Sequence, residues 1–446
     1  MSPNTNKYRP RIIDQQIERM LPMIGAIQIK GPKWCGKTTT AERHAKSVLR
    51  LQDPLDPKNY EEVARLNLGI LLEGKTPRLI DEWQTIPQIW NGVRTMVDQR
   101  GLNGQFILTG SSTPVESKPG TMHSGAGRIA TLNMRTMSLY ESGDSNGNVS
   151  LGSLFDPNTV VSSQPIHDAM DIARLTVRGG WPSSVVNKVE GGEAVEQYCK
   201  AILESDINVN GRRRNREKME MLLRSLSRNI ATSASNPTIL KDLTKDDELP
   251  EDDPEQEAAW SDENGKYPMS LDTLRSYMEA LRSICLVEDM PAWQPKLRTT
   301  TSIRSSETRY LTDPSIGAHF LGADAEDLIY DPDMFGLLFE NLVARDLRVY
   351  AESLGGKVRH YRDKNELEVD SIIHLRDGRW GAIEVKLSSS KVKDGTRNLL
   401  RLEDKVDVEE RNKLSFLAVV TGDGYAYTDS VNGVKIHTIP IGCLKN

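Results

Sequence analysis

Short apolar runs alternate with amphipathic stretches over the first third of this chain. Ala26-Ile27-Gln28-Ile29 is such a run, followed by a glycine-rich turn and a helix-like segment from Lys37 to about Leu51. Arg78-Leu79-Ile80 and Gln105-Phe106-Ile107-Leu108 are further strand candidates. Strands separated by helical stretches predict a parallel α/β sheet. From roughly 165 to 300 the period becomes helical. Met219, Leu222, Leu223, Leu226 and Ile230 share one face, and so do Leu271, Leu274, Met278 and Leu281. Mixed character returns from about Arg309, with a long helix predicted from about Met334 to Leu354 along the stripe Phe335, Phe339, Leu342 and Val349. Strands then end near Leu367-Glu368-Val369-Asp370 and run from Trp380 to Leu387.

Two stretches interrupt these patterns. Lys241 to Lys266 is acidic, with Asp246-Asp247-Glu248 and Glu251-Asp252-Asp253, and reads as an exposed insertion. Glu141 to Gln164 is rich in Gly, Ser and Asn and reads as the exit from the first domain. With 446 residues the length prior is about three domains at roughly 150 residues each. The breaks set them at 1–160, 165–305 (carrying the insertion 241–266) and 306–446.

Charge changes the picture only locally. The chain has 57 basic and 63 acidic residues, a net of −6, which excludes bulk attraction to nucleic acid and leaves only local patches. Its 4 Cys show no C-x-x-C spacing, which argues against a disulfide scaffold or zinc site and for a reducing compartment. No apolar run nears the roughly 20 residues of a membrane span, and the start Met1-Ser2-Pro3-Asn4 does not read as a signal peptide. The expectation is a cytoplasmic, soluble protein without membrane contact.

Gly31-Pro32-Lys33-Trp34-Cys35-Gly36-Lys37-Thr38 fits G-x-x-x-x-G-K-[ST], between an apolar strand and a helical segment. Its glycines let successive N–H groups turn toward phosphate oxygens. Lys37 reaches the β- and γ-phosphates and the Thr38 hydroxyl can ligate Mg²⁺. Gly31, Pro32, Gly36, Lys37, Thr38 and Thr39 therefore form the expected ATP cradle. Arg78-Leu79-Ile80-Asp81-Glu82 supplies a strand ending in two acids, Asp81 to hold Mg²⁺ and Glu82 to polarise the attacking water. Strand Phe106-Ile107-Leu108 delivers Thr109-Gly110-Ser111-Ser112 to the same edge, where small hydroxyls can sense the γ-phosphate or simply form a turn.

A second chemistry is legible near the C-terminus. Period-2 alternation puts Glu384 and Lys386 on one strand face, with Asp370 about one hairpin upstream. Asp370 and Glu384 can share Mg²⁺ while Lys386 orients or deprotonates water for attack on a phosphodiester. The preceding helix carries two further acids, Glu340 at the flank of its apolar stripe and Asp346 in the middle. For nucleic-acid contact the strongest local patch is Arg212-Arg213-Arg214-Asn215-Arg216, with Lys218, Arg224 and Arg228 following. A solvated helix flank reads equally well there, with Glu220 and Arg224 paired at i,i+4, and no aromatic residues interleave for base stacking.

The ordered signatures resemble the bacterial and archaeal AAA-type ATPases that join an N-terminal P-loop domain to a C-terminal restriction-endonuclease-like domain of uncharacterised function. The resemblance rests on Tyr8-Arg9-Pro10-Arg11, the P-loop, Leu79-Ile80-Asp81-Glu82-Trp83-Gln84, Ile107-Leu108-Thr109-Gly110-Ser111-Ser112 and Ala126-Gly127-Arg128. It continues through Arg178-Gly179-Gly180-Trp181-Pro182, Arg309-Tyr310-Leu311-Thr312-Asp313-Pro314 and Glu384-Val385-Lys386. It implies a multidomain α/β architecture: a parallel P-loop NTPase sheet, a helical and winged-helix middle, and a nuclease-like α/β end. Within it Thr109 would be the sensor, and Arg128 a phosphate-contacting arginine in its own chain or on a neighbour in a homo-oligomer. The family's Phe-Glu position favours Glu340 over Asp346 as a metal ligand. Leu271 to Leu281 would be the second main winged-helix segment, with the wing starting at Ile284-Cys285-Leu286-Val287. That helix exposes Asp272, Arg275, Glu279 and Arg282, whose charges nearly cancel, so a lid or docking role is favoured over base reading. The insertion after Lys241 departs from the family pattern. The implied function is ATP binding and hydrolysis coupled to Mg-dependent nucleic-acid binding or cleavage; the alternative is a nucleotide-controlled switch with an inactive nuclease-like fold.

Overall fold

A computed structural model describes residues 8–53, 59–110, 125–189, 191–207, 214–243, 268–295 and 306–446. The chain divides into two compact units, one mainly Met1–Thr136, the other built from Met137–Ile207, Arg213–Arg282 and Leu286–Asn446. The boundary near residue 136 precedes the expected one at 160, and the helical middle and the C-terminal region share one unit.

The first unit is a parallel sheet of β1 (Ala26–Lys30), β2 (Ser47–Arg50), β3 (Arg78–Asp81), β4 (Phe106–Gly110) and β5 (Ile129–Asn133), in the order β2-β3-β4-β1-β5. One face packs on Ile89, Val93 and Val97 of the helix Gln88–Arg100, through Ala26, Ile80, Phe106 and Leu108. The other packs through Ile27, Ile29, Leu79 and Ile107 on Ile13 and Ile17 of the helix Ile12–Met20. Strands buried on both faces read as continuous apolar runs, which is why β1, β3 and β4 were visible in the sequence. The segment expected to be helical up to Leu51 is different. Its helix ends at His44, Ala45 turns extended, and Ser47-Val48-Leu49-Arg50 pairs with β3. A four-residue edge strand with mixed polarity carries no period of its own, and pairing decides its state.

The second unit contains helices Ala169–Arg178, Pro182–Asn187, Glu193–Ala201, Arg216–Arg228, Asn236–Leu243 and Leu271–Ser283. Most of the acidic insertion lies outside the described residues. A ribbon follows, with antiparallel bridges Val287↔Leu311 and Met290↔Thr308. Next come the helices Pro314–Leu321, Ala325–Tyr330 and Pro332–Ser353, then β8 (Lys357–Arg362), β9 (Glu368–His374), β10 (Trp380–Lys386), the helix Val392–Lys405 and β11 (Leu414–Thr421). β8, β9 and β10 form an antiparallel meander, while β11 runs parallel to β10 across the helical crossover. With β7 (Ser162–Ser163), β12 (Ala426–Val431) and β13 (Val434–Pro440) they make a mixed sheet in the order β7-β12-β13-β11-β10-β9-β8.

The Gly- and Ser-rich stretch 141–164 was expected to be a domain exit. Instead it supplies two short strands, β6 (Val149–Ser150) beside β14 (Leu444–Lys445) and β7 (Ser162–Ser163) beside β12. Among the described residues no helix is long and apolar enough to cross a membrane.

Candidate functional site

The P-loop runs between the end of β1 and the helix Lys37–His44. Gly36 has φ 101°, a left-handed conformation open to glycine at little cost. A Cβ on Gly31 would lie 2.0 Å from the Met134 carbonyl oxygen, so this position too admits only glycine. The buried Lys37 ammonium donates to the carbonyl oxygens of Gly31 (3.0 Å) and Pro32 (2.8 Å), folded back over its own loop. Thr39 is exposed one residue beyond Thr38.

Strand register assembles the rest. In the β3–β4 ladder Asp81 stands opposite Thr109, and in the β1–β4 ladder Ile29 does. Thr38 Oγ1 and Thr109 Oγ1 both donate to Asp81 Oδ1, at 2.8 and 2.5 Å. One carboxylate and two hydroxyls, contributed by three separate segments, thus meet beside the P-loop: hard oxygen donors of the kind Mg²⁺ takes alongside phosphate. Next in the chain, Glu82 has φ 55° and its Oε2 accepts a 2.5 Å bond from Gln84 Nε2.

The N-terminal motif braces this site. Arg11 is buried and donates to the carbonyls of Cys35 in the P-loop (2.9 Å) and of Arg135 (2.8 Å). Tyr8 donates to Asp14 (2.8 Å), which also contacts His44 Nε2 (2.8 Å). Burial would raise Asp14, but the bonds from His44, the Arg11 N–H and Tyr8 prevail and hold its carboxyl below the usual range. Burial pushes the Tyr8 hydroxyl up.

Arg128 is not among these groups. It precedes β5, and its carbonyl accepts from Ala26 N at the start of β1, whereas the P-loop follows the end of β1. In parallel strands those are opposite sheet edges, about 13 Å apart at roughly 3.3 Å per residue. Its guanidinium pairs with Asp98 at 2.9 Å. Contact with phosphate in its own chain is therefore not what this placement provides. Ser111 and Ser112 lie outside the described residues.

The C-terminal candidates do gather. The antiparallel register of β9 and β10 sets Ile383 against Ser371, bringing Asp370 beside the Glu384–Lys386 segment. Lys386 Nζ lies 2.6 Å from Glu384 Oε2 and 3.7 Å from Asp370 Oδ2, and Asp370 Oδ2 accepts from Val385 N at 2.7 Å. Asn398, on the helix Val392–Lys405, reaches Glu384 Oε1 at 3.5 Å. Glu340 Oε1 accepts a 2.5 Å bond from the buried Tyr310 hydroxyl.

Burial, then the Asp370 charge, pushes Glu384 up to about 8 against the opposing pull of Lys386. The same two causes raise Glu340 well above the carboxylate range. For Lys386 burial works downward, but Asp370 and Glu384 outweigh it and keep the ammonium protonated. An ammonium so placed can orient groups by its charge. The expected metal set is not assembled either. Among the described residues no three His, Cys, Asp or Glu side chains are placed to hold a metal ion, and Lys386 spans the two acids that were to share one.

Asp346, the rival of Glu340, belongs to a buried structural network. Its carboxylate takes Arg345 Nε (2.9 Å) and Leu139 N (2.9 Å), while Arg345 also reaches Asp313 at 3.0 Å. Asp313 in turn accepts from Gly180 N at 3.0 Å and Ser315 Oγ at 2.6 Å. Ser315 receives Trp181 Nε1 at 3.0 Å. The Gly-Gly-Trp-Pro and Thr-Asp-Pro motifs are thus two halves of one packing contact.

The arginine cluster is described only in part. Arg212 and Arg213 lie outside the described residues, and Arg214 turns inward to the Ile207 carbonyl at 2.7 Å. Arg228 pairs with Asp242 at 2.9 Å, and Arg216 is exposed.

Residues 25–142 match the AAA domain family model, so the first unit has an AAA-type P-loop ATPase fold. Residues 170–327 and 335–444 match two domains of unknown function (DUF8612 and DUF4143). The uncharacterized proteins Rv2008c of Mycobacterium tuberculosis and Mb2031c of Mycobacterium bovis are each 22% identical over 379 residues, 84% of this chain and 73% of theirs. Among solved structures, the Walker-type ATPase of Pyrococcus abyssi is similar at TM-score 0.39 and 11% identity, over 69% of this chain and 94% of that one. The Aeropyrum pernix ORC1 protein, solved in complex with DNA, is similar at TM-score 0.24 and 12% identity, over 74% of this chain and 96% of that one.

Tyr310, Asn398, Gln84 and Arg11 were not among the sequence candidates. Three of them sit inside quoted motifs, but the roles come from contacts 24 to 124 residues away for Arg11 and 30 for Tyr310.

Proposed function

We propose that this chain binds and hydrolyses ATP in its first unit. The observation that carries the reading is the convergence of Thr38 and Thr109 on Asp81 beside Glu82, at the mouth of the P-loop. The loop's N–H groups and Lys37, released from the carbonyls of Gly31 and Pro32, would bind the phosphates. Thr38 and Asp81 would hold Mg²⁺, which neutralises charge on the phosphates when bound. Glu82 takes the proton of the attacking water, and Thr109 sits where the γ-phosphate would be felt. Arg128, at the opposite sheet edge, suits a role toward a neighbouring copy better than one in its own chain. Lys37→Ala should abolish ATP binding in a calorimetric titration; unchanged affinity would sink the reading.

A second reading concerns the C-terminal acids. Their support is the placement of Glu340, Asp370, Glu384 and Lys386 in one cluster on a helix–three-strand–helix–strand arrangement, as in restriction-endonuclease-like folds. The chemistry would be Mg-dependent binding or cleavage of nucleic acid, taken first as DNA, and it requires Lys386 to leave the two acids it now spans so that a cation can enter. The alternative is a nucleotide-controlled switch in which this fold only grips DNA or a partner. Plasmid, single-stranded DNA and RNA assays with Mg²⁺ or Mn²⁺, on wild type, Lys37→Ala and Lys386→Ala, separate the two. Cleavage lost in Lys386→Ala supports catalysis; no cleavage by wild type with or without ATP supports the switch. Four free thiols are in keeping with a cytoplasmic setting.

A further inference from the structure

Gln84 connects two parts of the nucleotide site. A carboxylate only accepts, so the Gln84 amide must turn its N–H toward Glu82, and does so at 2.5 Å. Its Oε1 is then committed to the other side, where it is buried and has no hydrogen-bond partner. That side is the end of β4: a Cβ on Gly110 would stand 2.3 Å from Gln84 Oε1 and 3.2 Å from Trp83 Nε1. Trp83 is 1% exposed, and its indole N–H is also unpartnered. An acceptor and a donor, both buried and unpaired, thus flank the residue directly after Thr109. Glu82, at φ 55°, is held in a conformation that a non-glycine residue keeps only when its surroundings enforce it.

We propose that Gln84 is the positioning residue for Glu82 and makes that position depend on the end of β4, through close packing against Gly110. The inference rests on the ATPase reading. A γ-phosphate engaged at Thr109 bears on Gly110, Gly110 on the Gln84 amide, and the amide on the Glu82 carboxylate. Glycine at 110 is what lets the amide approach.

The test is steady-state ATP hydrolysis with separately measured ATP affinity. Gln84→Glu keeps the shape of the side chain but cannot donate to Glu82 when ionised. Gln84→Ala removes both contacts. Each should lower kcat by about 10- to 100-fold, the scale of misplacing a reacting group by about an ångström, with ATP affinity within about threefold. Gly110→Ala should lower kcat alone, yet add little in the Gln84→Ala background, because its effect passes through Gln84. Wild-type turnover in Gln84→Glu, or full additivity of Gly110→Ala with Gln84→Ala, overturns the proposal and leaves the ATPase reading intact. A wild-type chain that binds ATP without hydrolysing it overturns both.

Discussion

The Tyr310 hydroxyl donates to Glu340 Oε1 at 2.5 Å, from a side chain that is 2% exposed. Tyr310 comes from the bridged ribbon that precedes the helix Pro332–Ser353, and its neighbour Leu311 is fastened on that same helix. Asn341 receives Leu311 N at 2.9 Å and donates to Leu311 O at 3.0 Å. A segment between the helical middle and the C-terminal sheet therefore supplies a side chain to the acidic cluster. Tyr310→Phe removes the donor and leaves a buried carboxyl unsatisfied, at a cost of about 1–3 kcal/mol. A denaturant unfolding curve should show that loss, and Tyr310→Phe combined with Glu340→Gln should recover part of it. A stability equal to wild type in Tyr310→Phe would show the bond contributes nothing.

Glu82→Gln should separate binding from turnover. Removing the general base costs about 10²–10⁴-fold in kcat while the P-loop keeps its grip on ATP. Single-turnover hydrolysis beside equilibrium binding reads both, and loss of binding in this variant would move Glu82 from the catalytic to the binding role.

Arg345 has no exposure to spare: it lies between Asp313 and Asp346 at 1% relative exposure. Arg345→Met leaves two buried carboxylates without their cation, and breaking such a pair costs about 3–5 kcal/mol. We expect a large fall in the thermal midpoint of the second unit, or failure to fold. An uncharged replacement of all three, Arg345→Met with Asp313→Asn and Asp346→Asn, should be less damaging than the single change, because no buried carboxylate is left without its cation.

Glu384 gives a pH signature. Its folded pKa, about 8, lies above the unfolded carboxylate value, so the native state binds the proton more tightly. The stability this contributes is fully present below about pH 4.3 and is lost as pH rises through 8, at up to about 1.4 kcal/mol per pH unit. The thermal midpoint of wild type should therefore fall between pH 6 and 9 more steeply than that of Glu384→Gln, which does not titrate. Parallel curves would remove the argument.

Much of the nucleotide site could be read from the chain alone because its chemistry is local. The P-loop needs Gly31, Gly36, Lys37 and Thr38 at fixed spacing, and a doubly buried strand announces itself as an apolar run ending in Asp81-Glu82. The C-terminal acids were legible for a similar reason, since period 2 puts Glu384 and Lys386 on one face of β10. Short edge strands were not legible. Ser47–Arg50, Val149–Ser150 and Ser162–Ser163 are too brief to carry a period, and only their pairing partners fix their state.

Composition and spacing determined which groups this chain has for handling phosphate. Tertiary structure decided which of them meet. Register set Asp81 against Thr109, while parallel topology put Arg128 at the far edge of the same sheet. Burial turned Asp346 into part of a packing network and made Lys386 a fixed charge between two acids. Those outcomes depend on neighbours distant in the chain and on the local dielectric, and neither is written in the identity of the residue itself.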